Sequence, residues 1–284
     1  VGSEMCIRDR STRFLDNFIS LDTDKNTVRC GSGVRLKEVL HLVIPKGYFP
    51  PVLPGTKYVT VGGAIAADIH GKNHHREGSF CQHVSALTLL LANGELISCS
   101  ESENKELFFA TCGGMGLTGI ILDATFGLKK VPSASINQRT QAAQNLDECM
   151  DIFDSAEASE YSVAWIDCLA QGKDQGRSLV HTGTHSAEGI KESVTRKELT
   201  IPFVTPALFL NKYSIRIFNE LMYQSKGLRK KSKQVSYEPY FFPLDGIKNW
   251  NLLYGSKGII QYQFYVQMDC SKETKPINMN KIAD

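Results

Sequence analysis

Between Pro54 and His75 the sequence sets groups that can do chemistry beside groups that can hold a charged ligand. Gly55, Gly62 and Gly63 carry no side chain over their amides, and the AIAAD after Gly63 reads as a helix start. Successive N–H groups at a helix N-terminus suit an anion such as a pyrophosphate. Directly afterwards come His70, Lys72, Asn73 and His74. A neutral imidazole can take a hydroxyl proton near pH 7, and a lysine can polarise an oxygen or steer an anion. No Walker lysine follows the glycines, which argues against a nucleoside triphosphatase. A tight turn between core elements would explain the glycines, but not the His/Lys cluster behind them.

Two other patterns invite chemistry and are set aside. His70, His74, His75 and His83, with Cys81 nearby, could suggest a metal centre. HGKNHH is not HExxH, however, and no carboxylate stands at ligand spacing. Gly71 and Gly78 imply irregular backbone, so the expectation is no metal and a loop whose histidines bond to backbone. Gly114 to Gly119 (GMGLTG) fits G-x-G-x-x-G. A dinucleotide fingerprint needs a strand before it and a helix after it, with an acid about 20 residues on. Here the order is helix then strand, with no such acid, which argues against nicotinamide.

The elements that must position these groups follow from periodicity. TVRCG (27–31) reads as a strand, and Val34, Leu36, Val39, Leu40 and Val43 give a helical stripe closed by Pro45 and Gly47. VSALTLLLANGELISCS is a hairpin turning at Asn93-Gly94. NKELFFATCGG is a short helix and LTGIILDATFGL a strand. After Lys129, Lys130 and Pro132 the glycines thin. NLDECMDIFDSAEAS is then an amphipathic helix, and YSVAWIDCLA a strand with Val163, Trp165 and Asp167 on one face. IIQYQFYVQM alternates strictly, putting Gln261 and Gln263 on one face. Two amide heads there can read sugar hydroxyls, although a solvent-facing side is an equal reading.

With 284 residues the chain can bury a real core, and 42% hydrophobic against 22% charged residues excludes a disordered chain. A net charge of +2 gives no electrostatic basis for nucleic-acid binding. No apolar run reaches the roughly 20 residues of a membrane-spanning helix. The 8 cysteines are scattered without a CxxC and read as buried hydrophobes rather than a disulfide framework. The fold class is α+β. Residues 1–10 read as non-native or disordered, 11–131 as one domain and 132–284 as a second, carrying a mixed or antiparallel sheet.

PVLPGTKYVTVGGAIAADIHGKNHHREGSFCQHV followed by GGMGLTGII resembles the FAD-binding domain of the vanillyl-alcohol oxidase/p-cresol methylhydroxylase (PCMH-type) superfamily. Within it the chain is most similar to the polyprenylphosphoryl-sugar oxidases of cell-wall arabinan-precursor synthesis. YSVAWID, YFFPLDGIKNWN and GIIQYQF extend the match to about Met268. The resemblance implies that residues 11–131 are an FAD-binding domain and 132–284 a substrate domain, both incomplete. An upstream phosphate loop and a downstream active-site lysine would lie beyond the two ends.

By that resemblance Gly55, Thr56, Thr60, Val61, Gly62 and Gly63 wrap the FAD diphosphate and ribityl chain. Ala67, Asp68, Ile69 and His70 lie along the flavin, and Ile121 packs near the adenine. His70 and Lys72 face the substrate as the catalytic pair; Trp165, Phe241, Gln261, Gln263 and Lys72 line its pocket. Val163 and Phe241 stand where relatives have a serine and a tyrosine, so two pocket hydroxyls are missing. The implied reaction oxidises a secondary alcohol of a sugar or polyprenyl-phosphosugar, with hydride passing to flavin N5 while His70 or the downstream lysine takes the proton. A sugar-1,4-lactone or alditol oxidase is the alternative enzyme, and a flavin-free, non-catalytic protein the alternative of another class. A short-chain reductase acting on the ketone, peripheral membrane contact through a lipid substrate, and a cytoplasmic, membrane-peripheral or periplasmic-face location are further implications. A side chain at Gly62 is expected to block FAD with little loss of folding.

Overall fold

The computed structural model describes residues 11–192, 198–204, 206, 211–227 and 231–255. The first half is an antiparallel five-stranded sheet in the order β1-β2-β6-β4-β5, formed by β1 (Phe18–Asp22), β2 (Thr27–Gly31), β4 (Val84–Leu90), β5 (Leu96–Ser100) and β6 (Ile120–Gly127). α1 (Leu36–Val43) buries Leu36, Val39, Leu40 and Val43, the stripe its spacing predicts. Its start is fixed by the Glu38 carboxylate, which accepts the Arg35 N–H at 2.7 Å. β3 (Tyr48–Phe49), α2 (Val61–Ala66), α3 (His74–Glu77) and α4 (Lys105–Thr111) complete this half. Gly94, at φ +89°, turns the β4–β5 hairpin as Asn-Gly requires.

β7 (Lys129–Lys130) pairs with β3 and leads into the second sheet, an antiparallel array in the order β12-β8-β10-β9. Its strands are β8 (Ser135–Ala143), β9 (Tyr161–Ile166), β10 (Ser178–His185) and β12 (Lys231–Ser236). α5 (Leu146–Ser155) covers one face, where Ala143, Cys149, Ile152 and Val180 form a small buried cluster with Ala164 against it. α6 (Lys212–Gly227) and α7 (Tyr237–Phe241) flank β12, and β11 (Leu199–Thr200) pairs in parallel with β13 (Ile247–Lys248).

The boundary expected at residue 131 falls between β7 and β8, where the chain changes sheet. The core does not divide there. One buried cluster runs from Val28 to Phe242 and draws on both halves. At the junction the Phe49 ring meets His185 at 5.0 Å, Tyr237 at 5.9 Å and Phe241 at 5.5 Å. Such aromatic packing excludes water between the sheets and ties their relative placement to the core itself.

Candidate active site at the junction of the two sheets

The glycine turn differs from its sequence reading. Gly62 and Gly63 lie inside the first turn of α2 rather than ahead of it, because Thr60 is the cap and its Oγ1 accepts the Gly63 N–H at 3.1 Å. The Val61 amide donates to Val34 O and the Gly62 amide to Ser32 O, both at 2.8 Å. These three amides are therefore satisfied within the protein and do not form an open nest. Gly62 is small for a packing reason: a Cβ there would stand 2.8 Å from Ser32 Cβ and 3.2 Å from its carbonyl oxygen. The expectation that a side chain at Gly62 would spare folding is corrected accordingly. Val61 and Ile121, at 0% and 6% exposure, pack in the core.

The next segment is held by its backbone and leaves its functional groups at the junction. Asp68 adopts a left-handed conformation (φ +41°), and its carboxylate accepts the Cys81 N–H at 2.9 Å. Ile69 packs half-buried against the core, and Ala67 is exposed. His70 forms a bridge to Ser79, and its ring meets His74 edge-on at 5.8 Å. Gly71 passes so close to Leu53 that a Cβ would lie 2.7 Å from the Leu53 carbonyl oxygen. Buried Asn73 donates to Pro51 O at 2.7 Å. The loop expected around the histidines contains a single helical turn, α3, starting at His74. Among the described residues no three His, Cys, Asp or Glu side chains gather as a metal site.

Charge at this segment is set by burial. The half-buried His70 imidazole is lowered from its ordinary 6.5, first by desolvation and then by His74, with Asp68 opposing. It is neutral at pH 7 and able to accept a proton. Desolvation pushes Lys72 down to about 8. Its amine donates to the Tyr240 carbonyl and sits over the Tyr240 and Phe241 rings, at 4.7 and 5.8 Å from their centroids.

The opposing wall is the face of the second sheet turned away from α5. Register places Tyr161, Val163 and Trp165 of β9 on that face, beside His185, Gly183, His181 and Leu179 of their partner β10. At the inner end Tyr161 packs on Phe241 at 4.9 Å. Further out the face turns polar: His181 Nδ1 lies 2.8 Å from Thr140 Oγ1 and 3.1 Å from Gln138 Nε2. Val163 and Trp165 are half-buried there. Phe241 is 1% exposed and lies beneath Lys72. Its neighbour Tyr240 is also buried and carries a hydroxyl with no partner. Sequence reading missed Tyr240, His181, Thr140 and Gln138. Only the pairing of strands distant in the chain brings the last three to the Trp165 face. Gln261 and Gln263 lie outside the described residues.

The first half suits FAD on observations of its own. Gly55 and Gly63 are exposed, and a Cβ at Gly55 would meet nothing within 4 Å. Gly63 in the first turn of α2 and Ala67 at its end, four residues on, are exposed small residues, the second three positions before His70. The Ser32 hydroxyl is buried without a partner, 3.5 Å from a Cβ placed on Gly62. Thr56 opens onto a cavity of about 390 Å³ that also carries Tyr58 and Trp250.

Comparison with known proteins is consistent with this placement. The sequence pattern of a family described as an FAD binding domain matches residues 10–100. Decaprenylphosphoryl-beta-D-ribose oxidase of Mycolicibacterium smegmatis is 37% identical over 275 residues, covering 93% of this chain and 60% of that protein. An uncharacterized protein in the mprA 5'region of Streptomyces coelicolor is 31% identical over 268 residues, 88% of this chain and 71% of its own length. L-gulonolactone oxidase of Bos taurus is 34% identical over 148 residues, 52% of this chain and 33% of its own. The chain thus spans 60% of the length of the first of these relatives. On the domain match and the similarity over most of this chain, the chain belongs to the PCMH-type FAD-binding family.

Proposed function

We propose that this protein oxidises a secondary alcohol of a sugar, of the polyprenyl-phosphosugar kind, with FAD as its cofactor. The observation that carries the reading is a desolvated Lys72, donating to the Tyr240 carbonyl from a segment bonded to Ser162 of β9, two residues from a His70 whose pKa burial lowers. Gly55, Thr56, Thr60, Gly63, Ala67 and His70 would hold the cofactor, which when bound supplies the acceptor for the hydride. His70 accepts the hydroxyl proton at an imidazole nitrogen. Lys72, still largely charged at pH 7, steers the substrate phosphate or polarises the alcohol oxygen. Trp165 offers a flat face to the sugar, and the core aromatics under Lys72 keep water from that side.

The similarity to a decaprenylphosphoryl-ribose oxidase favours a lipid-linked sugar, and with it placement at a membrane surface. A ketone product suits a reductase of the short-chain class, and that pairing belongs to the same proposal. Val163 and Phe241 present no hydroxyl, which leaves an aldonolactone or alditol as the second reading, and the likeness to L-gulonolactone oxidase supports it. The test is flavin absorbance of the purified full-length protein and its anaerobic bleaching by a polyprenyl-phosphosugar, an aldonolactone and an alditol. Fastest bleaching by the phosphosugar is expected. Faster bleaching by the lactone or alditol selects the second reading, and a colourless protein would reject both in favour of a non-catalytic role.

A further inference from the structure

The segment carrying Lys72 is stitched to the start of β9 along an antiparallel seam. The Ser162 N–H donates to Lys72 O at 2.7 Å. His75 Nε2 lies 3.1 Å from Ser159 O, and Arg76 donates to Ala158 O at 3.1 Å. The seam is closed by three side chains from three elements. Lys129 of β7 donates to Glu77 of α3 at 3.2 Å and to Glu160, next to β9, at 2.5 Å. The other Glu160 oxygen accepts the His185 N–H at 3.0 Å.

These tethers are unequal. His75 and Arg76 are exposed, and bonds of that kind hold little against water. The triad is half-buried, with side-chain exposures of 30% for Lys129, 26% for Glu77 and 15% for Glu160. Its bonds are charge-assisted, and without the ammonium the two carboxylates would lose the cation they share. Tyr161, next to Glu160, is locked under Phe241, and Val163 follows two residues later on the same face. Whatever moves Glu160 therefore moves the wall opposite Lys72.

We propose that the Glu77–Lys129–Glu160 triad is a positioning device that fixes the Val163–Trp165 wall relative to Lys72, so that Lys129 sets substrate fit without touching substrate. This rests on the active-site reading given above. The test uses the full-length flavin-loaded protein with Lys129→Met and Lys129→Arg. Two quantities are read: the substrate dependence of anaerobic flavin reduction and hydrogen exchange at the Ser162 amide. Loss of substrate contact with a displaced wall weakens binding rather than chemistry, tenfold for each ~1.4 kcal/mol. Lys129→Met should accordingly raise the half-saturating substrate concentration ~10-fold, change the limiting rate far less, and speed Ser162 exchange by a similar factor, with flavin retained. Lys129→Arg should restore both. Unchanged half-saturation and unchanged Ser162 protection in Lys129→Met would overturn the proposal while leaving the functional reading intact. If wild-type flavin is not reduced by any alcohol, the functional reading falls, and Ser162 exchange alone decides whether the triad holds the seam. Should Lys129→Met fail to fold, Glu160→Gln keeps the shape and removes the charge. Faster Ser162 exchange in that variant supports the device, and normal exchange rejects it.

Discussion

The glycine turn at residues 60–63 and the segment from His70 to Glu77 are neighbours in sequence built on opposite plans. In the turn the amides of Val61, Gly62 and Gly63 have internal acceptors, and the glycines let α2 approach Ser32. In the later segment the backbone is pinned by Asn73, Gly71 and the seam, while the Lys72 amine reaches Tyr240 and Phe241 at the junction of the sheets. A glycine cluster is therefore weak evidence of an open anion site, since close packing uses the same residue. A lysine and a histidine two residues apart, both shifted by desolvation, are stronger evidence, because holding them so costs stability that packing alone does not require.

The largest break in this comparison should come from His70→Ala in the full-length protein. FAD should be retained, and anaerobic flavin reduction should slow on the order of 10²–10⁴-fold, the usual contribution of a positioned base. A change below a few-fold, with flavin retained, would make His70 structural. Next comes the turn. Gly62→Val should lower stability by about 3 kcal/mol, the upper end for overpacking, because its neighbours are backbone and Cβ atoms that cannot swing aside. Gly55→Val meets nothing and should leave the melting temperature of the flavin-free protein unchanged while lowering flavin content. Equal melting temperatures for the two variants would contradict the packing account.

A smaller effect of opposite sign is expected at Lys72. Its pKa falls from 10.5 in the unfolded chain to about 8 in the fold. The unfolded chain thus binds more protons between those values, so the cost of burying the charge is full below pH 8 and is lost as pH rises towards 10.5. Lys72→Met should stabilise the fold at pH 7 by about 2 kcal/mol, after allowing for the lost bond to the Tyr240 carbonyl. The gain over wild type should shrink between pH 8 and 10.5 in denaturant titrations. Lower stability in Lys72→Met at pH 7 would show that Lys72 serves the core.

Much of this was legible in the sequence where the signal is local. The stripe from Leu36 to Val43, the Asn93-Gly94 hairpin and the helix-then-strand setting of the GMGLTG motif could be read because each is fixed by neighbouring residues. The alternation of β9 gave Val163 and Trp165 a common face. It could not say that His181 stands opposite Val163, or that Tyr161 seals Phe241 into the core, because those facts depend on β10 and α7 arriving from later in the chain. The amides of Val61 and Gly62 were misread for the same reason: their acceptors, Val34 and Ser32, are brought to them only when the α1 region folds against the turn, whereas the Thr60 hydroxyl that takes the Gly63 N–H is local. Nothing local in Lys129, Glu77 or Glu160 marks them as partners.

The account stands most directly on the charge states of His70 and Lys72, and the pH dependence of flavin reduction in the wild-type protein reads both. A neutral His70 and a charged Lys72 predict a bell. The rate should fall as pH drops through a value below 6.5, where the imidazole protonates, and fall again as pH rises through about 8, where the ammonium is lost. His70→Ala should remove the acid limb and Lys72→Met the alkaline one. A wild-type rate that instead climbs through pH 8, or that stays flat between 5 and 9, would contradict the assignment of the two residues.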